Sequence, residues 1–156
     1  MGDPRKQRKK WQGPRHPWEG ARIAEENKLT SEYGLRNKKE VWKSQALLRN
    51  WQDQAKSIVS LTGEKREQAE QVLLTKLQKL GVIGENGDVD EVLSLTVRNV
   101  LEHRLQTKLY KNGFAHTTKQ ARQFIVHNKV LVNGEKVNSP AYFVKAADQV
   151  KLIDGF

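Results

Sequence analysis

Residues 101–144 read LEHRLQTKLYKNGFAHTTKQARQFIVHNKVLVNGEKVNSPAYFV, and the hydrophobic period changes inside this stretch. Val97, Val100, Leu101, Leu105 and Leu109 recur at close to 3.6 residues, which predicts one helix opened by Thr96 and ended at Asn112-Gly113. A second helix opens at Thr117, where Thr117 and Gln120 have the spacing of a capping box. Its inward residues are Ala121, Phe124 and Ile125. The pattern then alternates. Val130-Leu131-Val132 and the residues up to Val137 flank Asn133-Gly134, the strongest short-range hairpin signal. Asn138-Ser139-Pro140 turns the chain, and Tyr142-Phe143-Val144 and Val150–Ile153 supply further strand. Helix, tight turn, helix, hairpin and a last strand make a small α+β module over residues 96–156.

Cations lie off the apolar positions of every element. Arg104, Lys108 and Lys111 fall at i, i+4 and i+7, which predicts a basic ridge. Lys119, Arg122, Gln123 and His127 lie opposite the inward face of the second helix, and Lys129 and Lys136 flank the hairpin. Packed together, these elements would form one positive surface. Arg122, a turn into a capped helix, either forks onto phosphate or pairs with a carboxylate such as Glu102 or Glu135. His127 either donates to phosphate or ribose, or closes the helix on a carbonyl. Tyr110 either stacks on a base or packs under the hairpin. Gly113, Gly134 and Asn133 read first as backbone devices.

Upstream, residues 19–95 read as a helical lobe. A weak helical pattern covers Glu19 to Asn27. A longer one starts near Leu35, with Val41, Leu48, Trp51, Ala55 and Ile58 inward and Lys38, Lys39, Lys43, Arg49 and Lys56 at other angles. Thr62-Gly63 breaks it. Ala69, Val72, Leu73, Leu77 and Leu80 form another stripe, closed at Gly81, and residues 81–92 read as a turn-rich boundary. Residues 1–18 read as an extended basic arm, with Arg5, Lys6, Arg8, Lys9, Lys10 and Arg15 interleaved with Trp11 and Trp18. Such an arm either lies along phosphates, its indoles stacking on bases or docking on a neighbour, or is a solvated tail or localisation tract.

The chain has 156 residues with 28 Lys and Arg against 18 Asp and Glu, a formal net charge of +10. Residues 1–50 carry 13 cations and 6 acids, residues 51–100 carry 6 and 8, and residues 101–156 carry 9 and 4. Two basic regions therefore flank a nearly neutral middle, as expected for two contact surfaces on a polyanion. With no cysteine, disulfides, thiolate zinc sites and a cysteine nucleophile are excluded. The longest apolar run is the four residues Ala141–Val144, too short for a membrane span or signal core, so no membrane partner is expected.

The marks RLQ-x-x-x-Y-K-x-G, A-R-Q-x-I-x-H, V-N-G and the S-P-x-Y turn closely resemble the RNA-binding module named after small-subunit ribosomal protein S-four. MGDPRKQRKKWQGPRHPW and EYGLRNKKEVWK resemble the archaeal and eukaryotic branch of that ribosomal protein family, and the opening MGDP-R-K-x-R-K-K looks archaeal. The resemblance covers nearly the whole chain. It implies a cytoplasmic structural component of the small ribosomal subunit that binds small-subunit (16S) ribosomal RNA directly and early in assembly. It also implies neighbouring small-subunit proteins as partners and an influence on decoding accuracy. Carried onto this chain, the RNA-facing residues are Arg104, Lys108, Lys111, Lys119, Arg122, Gln123, His127, Lys129, Asn133 and Lys136. The basic arm (Arg5, Lys6, Arg8, Lys9, Lys10, Trp11 and Arg15) and Lys38, Lys39 and Lys43 join them. The cysteine cluster that holds zinc in many bacterial relatives is missing, so no metal and no cofactor are carried over. Asn128 stands where relatives often have Gly, and Asn also tolerates positive φ. The last residue, Phe156, follows soon after the last strand, whereas relatives in this branch usually run on.

Catalysis has no foothold in the pattern. His16, His103, His116 and His127 show no i, i+4 pairing, no phosphate-binding Gly loop or nucleophile elbow occurs, and Asp88, Asp90 and Glu91 read as a solvated turn capping a helix. No enzyme activity and no small-molecule substrate are expected. The alternative is a non-ribosomal RNA-binding or RNA-modification accessory protein built on the same module. A helix-turn-helix DNA reader shares the two-helix pattern, but the following hairpin argues against it.

Overall fold

The computed structural model describes residues 9–84 and 86–153; Arg5, Lys6 and Arg8 lie outside the described residues. Asn37 starts the longest helix by accepting the Glu40 N–H on its side chain at 3.3 Å. That helix, α2 (Lys38–Val59), follows α1 (Gly20–Glu32) and precedes α3 (Glu64–Leu80), which closes on Gly81 in the left-handed conformation, φ 74°. Val41, Leu48, Trp51, Ala55 and Ile58 are all buried, as their spacing predicts. On α3 the stripe is narrower than expected. Leu73 and Leu77 are buried, but Val72 is 71% exposed.

Two short helices depart from the sequence reading. Within the expected turn-rich boundary lies α4 (Val89–Ser94), whose Val89 and Val92 reach the core. Six residues are too few to show a helical period. The predicted single helix over residues 97–111 is instead α5 (Val97–Glu102) and α6 (Leu105–Lys111), broken at His103-Arg104. Backbone groups at the break are satisfied by residues 142–144: Leu105 N–H donates to Tyr142 O at 2.8 Å, and Val144 N–H donates to His103 O at 2.9 Å. The break turns Leu105 and Leu109 toward a different core from Val100. Residues 142–144 thus form one isolated bridge, Arg104 to Phe143, rather than the expected strand.

After α7 (Thr118–Val126), strands β1 (Val130–Val132), β2 (Glu135–Lys136) and β3 (Val150–Leu152) make an antiparallel sheet of order β2-β1-β3. Asn133 and Gly134 both have positive φ, 53° and 88°, the requirement of the tight hairpin turn that Asn-Gly predicts. The fold class is α+β.

Three apolar clusters support these elements. One joins α2, α3, α4 and Val100; a second joins α6, α7, the sheet and Val144; a small third joins Tyr33, Leu35, Val41 and Leu101. α5, upstream of the break, packs on α2. Phe143 joins the first cluster by meeting Trp51 edge-on, ring centres 6.2 Å apart.

Candidate nucleic-acid interface

The seam between α2 and the α6–α7 pair is polar, and it captures two of the predicted RNA-facing residues. Glu40, in the first turn of α2, accepts from Arg104 Nη2 and from Arg122 Nη2, the latter at 3.0 Å. Arg104 is only 6% exposed, so the expected Arg104–Lys108–Lys111 ridge loses its first member. The cause is the break at His103, which makes Arg104 the residue preceding α6 and turns it inward. Arg122 also donates to Gln106 Oε1 at 3.3 Å and retains a quarter of its side-chain exposure. It takes the carboxylate alternative, with Glu40 rather than Glu102 or Glu135 as its partner.

Glu40 stays ionised. Burial alone would raise its pKa, but hydrogen bonding from Arg122, the charges of Arg104 and Arg122 and the Arg36 N–H together hold it below the ordinary carboxylate range. Burial lowers the Arg104 pKa against the opposing pull of Glu40. Beside them Gln106 is fully buried and fully bonded, its amide donating to Tyr33 O, Gly34 O and Thr118 O. No spacing or motif marks Gln106 or Glu40 as a staple, because their partners lie far away in the chain.

Outside this seam the remaining predicted cations are partly exposed and partly engaged. Thr117 Oγ1 accepts from Gln120 N–H at 3.1 Å, while the Gln120 side chain reaches back to His116 N–H at 2.8 Å, one residue beyond a reciprocal capping box. So capped, α7 presents Lys119, Gln123 and His127, spaced i, i+4 and i+8, on one exposed face. Lys136 is exposed on β2 and Lys129 is half-buried where β1 begins. Lys108 is half-buried, and Lys111 is exposed and ion-paired with Glu102 at 2.9 Å. Tyr110 is 45% exposed, so it does not pack under the hairpin; Phe114, which the sequence reading passed over, is 37% exposed beyond Gly113. Asn133 is a turn device: its amide donates to Asp148 Oδ1 and accepts from Gln149 N–H, both at 2.9 Å.

At the same end of α2, the described part of the arm, residues 9–18, is docked on the helix rather than free. Trp11 packs on Trp42 of α2 with ring centres 5.4 Å apart, and Lys9 and Lys39 lie over the Trp11 ring at 4.2 and 5.6 Å. Neither alternative read for Trp11, a base or a neighbour, is what it meets here: it packs on a helix of its own chain. Arg22 holds the arm by donating to His16 O and Pro17 O at 3.1 and 2.8 Å. The anchor of this region is Glu26, 2% exposed, which accepts from Arg22 at 2.6 Å and Trp42 Nε1 at 2.9 Å, with Lys38 Nζ 3.6 Å away. Burial would raise the Glu26 pKa, but these three partners lower it on balance. Lys38 is therefore a structural cation, while Lys10, Arg15, Lys39 and Lys43 remain exposed.

The chain is similar to known proteins over nearly its whole length. The S4 domain model matches residues 103–150, which span α6, α7 and the hairpin. The small ribosomal subunit protein uS4 of Ignicoccus hospitalis is 50% identical over 98% of this chain and 92% of its own length. The uS4 proteins of Hyperthermus butylicus and Nanoarchaeum equitans are 49% and 47% identical, covering 99% and 94% of this chain and 87% and 83% of their own lengths. With such identity sustained from the docked arm to the hairpin, the chain belongs to the small ribosomal subunit protein uS4 family.

Proposed function

We propose that the protein is a structural constituent of the small ribosomal subunit that binds small-subunit ribosomal RNA through phosphates. The carrying observation is the exposed Lys119–Gln123–His127 face of α7 inside the matched S4 domain. Lys108, Lys111, Lys129 and Lys136 border it, and Lys9, Lys10, Arg15, Lys39 and Lys43 form the second contact. Arg104, Lys38 and Asn133 support the fold instead, and Arg122 contributes to RNA only through its exposed quarter. Duplex RNA hides its base edges in a narrow major groove, so this surface reads phosphate geometry and shape. Neighbouring subunit proteins, a cytoplasmic ribosomal location, early assembly and support of decoding accuracy belong to the same reading. So does the division into an arm (1–18), a helical lobe (19–95) and an RNA-binding module (96–156). Within the last segment α5 packs on α2, so the lobe and module act as one unit.

The relatives named above are called small ribosomal subunit proteins, which supports a structural rather than an enzymatic role for this chain. Incubation with RNA followed by mass spectrometry for a modified base tests the enzymatic alternative. The RNA reading is tested by titrating a folded small-subunit RNA fragment across salt concentrations. Log affinity should fall by roughly 0.7–0.9 per phosphate contacted for each decade of salt. Affinity independent of salt overturns the proposal.

A further inference from the structure

The arm and the α1–α2 pair enclose a cleft of about 480 Å³, walled by residues 12–15 on one side and by Arg22, Trp42 and Arg49 on the other. Arg15 comes from the arm and Arg49 from α2. Neither has a carboxylate partner among the described residues. The one acid of the cleft, Glu26, is already committed to Arg22, Trp42 and Lys38. Two polar atoms there are buried without a hydrogen-bond partner, Arg22 Nε and Glu26 Oε2. The cleft is thus lined by two exposed guanidinium groups on separate chain segments, neither paired with an acid. That arrangement makes the cleft a net positive, partly enclosed site.

We propose that this cleft receives one phosphate of an RNA strand, bridged by Arg15 and Arg49, and that the bound phosphate clamps the arm onto α2. The proposal rests on the RNA-binding reading above. A phosphodiester presents two non-bridging oxygens, and guanidinium forks match such oxygens with charge-assisted hydrogen bonds. Each fork comes from a different segment, so one phosphate closes what is otherwise held by Trp11 stacking and the two Arg22–carbonyl bonds. Helical spacing marks Arg49 only as a cation off the core face of α2; the docked arm brings Arg15 into the same cleft.

The test uses the full chain, limited trypsin cleavage after Arg15 and the same RNA fragment. RNA should slow cleavage after Arg15 in the native protein. Arg49→Gln should abolish that protection, weaken RNA binding about tenfold and remove about one phosphate from the salt slope. Lys119→Ala should weaken binding yet keep the protection, separating this site from the α7 face. Arg49→Gln with unchanged protection and affinity overturns the clamp. Equal protection by inorganic phosphate alone assigns the cleft to a free anion and overturns the strand. An RNA that fails to bind the native protein overturns the RNA-binding reading itself, a result distinct from either.

Discussion

Replacing Glu40 by Ala tests the seam most sharply. The Glu40 and Arg104 side chains are 14% and 7% exposed, and Arg104 Nε already has no hydrogen-bond partner. Removing the carboxylate leaves the Arg104 guanidinium buried without its counter-charge, a change that costs about 3–5 kcal/mol where one partner of a buried pair is deleted. Arg122 adds less. It is a quarter exposed, keeps Gln106 Oε1 at 3.3 Å and can turn toward water. Loss of a favourable first-turn acid on α2 adds about 0.3–1 kcal/mol. The expected loss is therefore about 4 kcal/mol, a large part of the roughly 5–15 kcal/mol available to a domain. It corresponds to about 10 °C in Tm at this chain length.

Urea unfolding followed by tryptophan fluorescence measures it, because Trp51 is 2% exposed and reports the helical core. The discriminating variant adds Arg104→Met to Glu40→Ala. If the single variant suffers from an orphaned charge, removing that charge should recover about half of the loss. A single variant that loses less than about 1 kcal/mol at unchanged m refutes the reasoning. So does a double variant whose loss equals the sum of the two single losses, because coupled neighbours do not add.

Other outcomes follow from the same geometry. Glu26 and Glu40 both have folded pKa values below their unfolded ones, so the stability they contribute is present above the ordinary carboxylate range and is lost as pH falls through the folded values. Native protein should therefore lose stability on acidification more steeply than Glu26→Gln in urea titrations repeated from pH 7 to pH 3 (approximate limits). Gly34 has φ +60°, and an added Cβ would lie 2.5 Å from Thr118 Oγ1, so Gly34→Ala should cost about 1–3 kcal/mol by the same unfolding assay. Lys119→Ala should leave Tm unchanged but reduce the salt slope of RNA binding by about 0.7–0.9. Arg122→Ala should instead lower stability by about 1 kcal/mol, and a Tm equal to native would return Arg122 to the surface.

Long periodic elements were legible and short or long-range ones were not. The 22 residues of α2 repeat their apolar positions over six turns, enough to place Val41, Leu48, Trp51, Ala55 and Ile58 inward without any structure. Asn133-Gly134 was equally legible because the turn it makes depends on local backbone alone. The break at His103 has no Gly or Pro to announce it; it is imposed by hydrogen bonds from residues 142–144. The seam was hidden for a related reason. Glu40 lies 64 residues from Arg104 and 82 from Arg122, and no spacing rule reaches so far. A periodic reading finds which residues leave a helix face. It cannot say whether water or another helix lies beyond.

That difference sorts the cations by chemistry. Arg22, Arg104 and Arg122 are drawn inward: Arg22 spans Glu26 and two arm carbonyls, Arg122 spans Glu40 and Gln106, and Arg104 ties the start of α6 to Glu40 of α2. A planar fork of five donors suits such bridging, whereas an ammonium on a flexible stem is strongly hydrated and costs more to bury. Lys10, Lys39, Lys43, Lys119 and Lys136 accordingly stay exposed. For RNA the consequence is specific. The lysines supply attraction that salt screens, while the arginines set the rigid arm-to-helix and helix-to-module geometry on which that attraction is displayed. Arg15 and Arg49 are exposed like those lysines but carry the planar fork of the buried arginines. A phosphate held between them would convert a screened contact into a positional one.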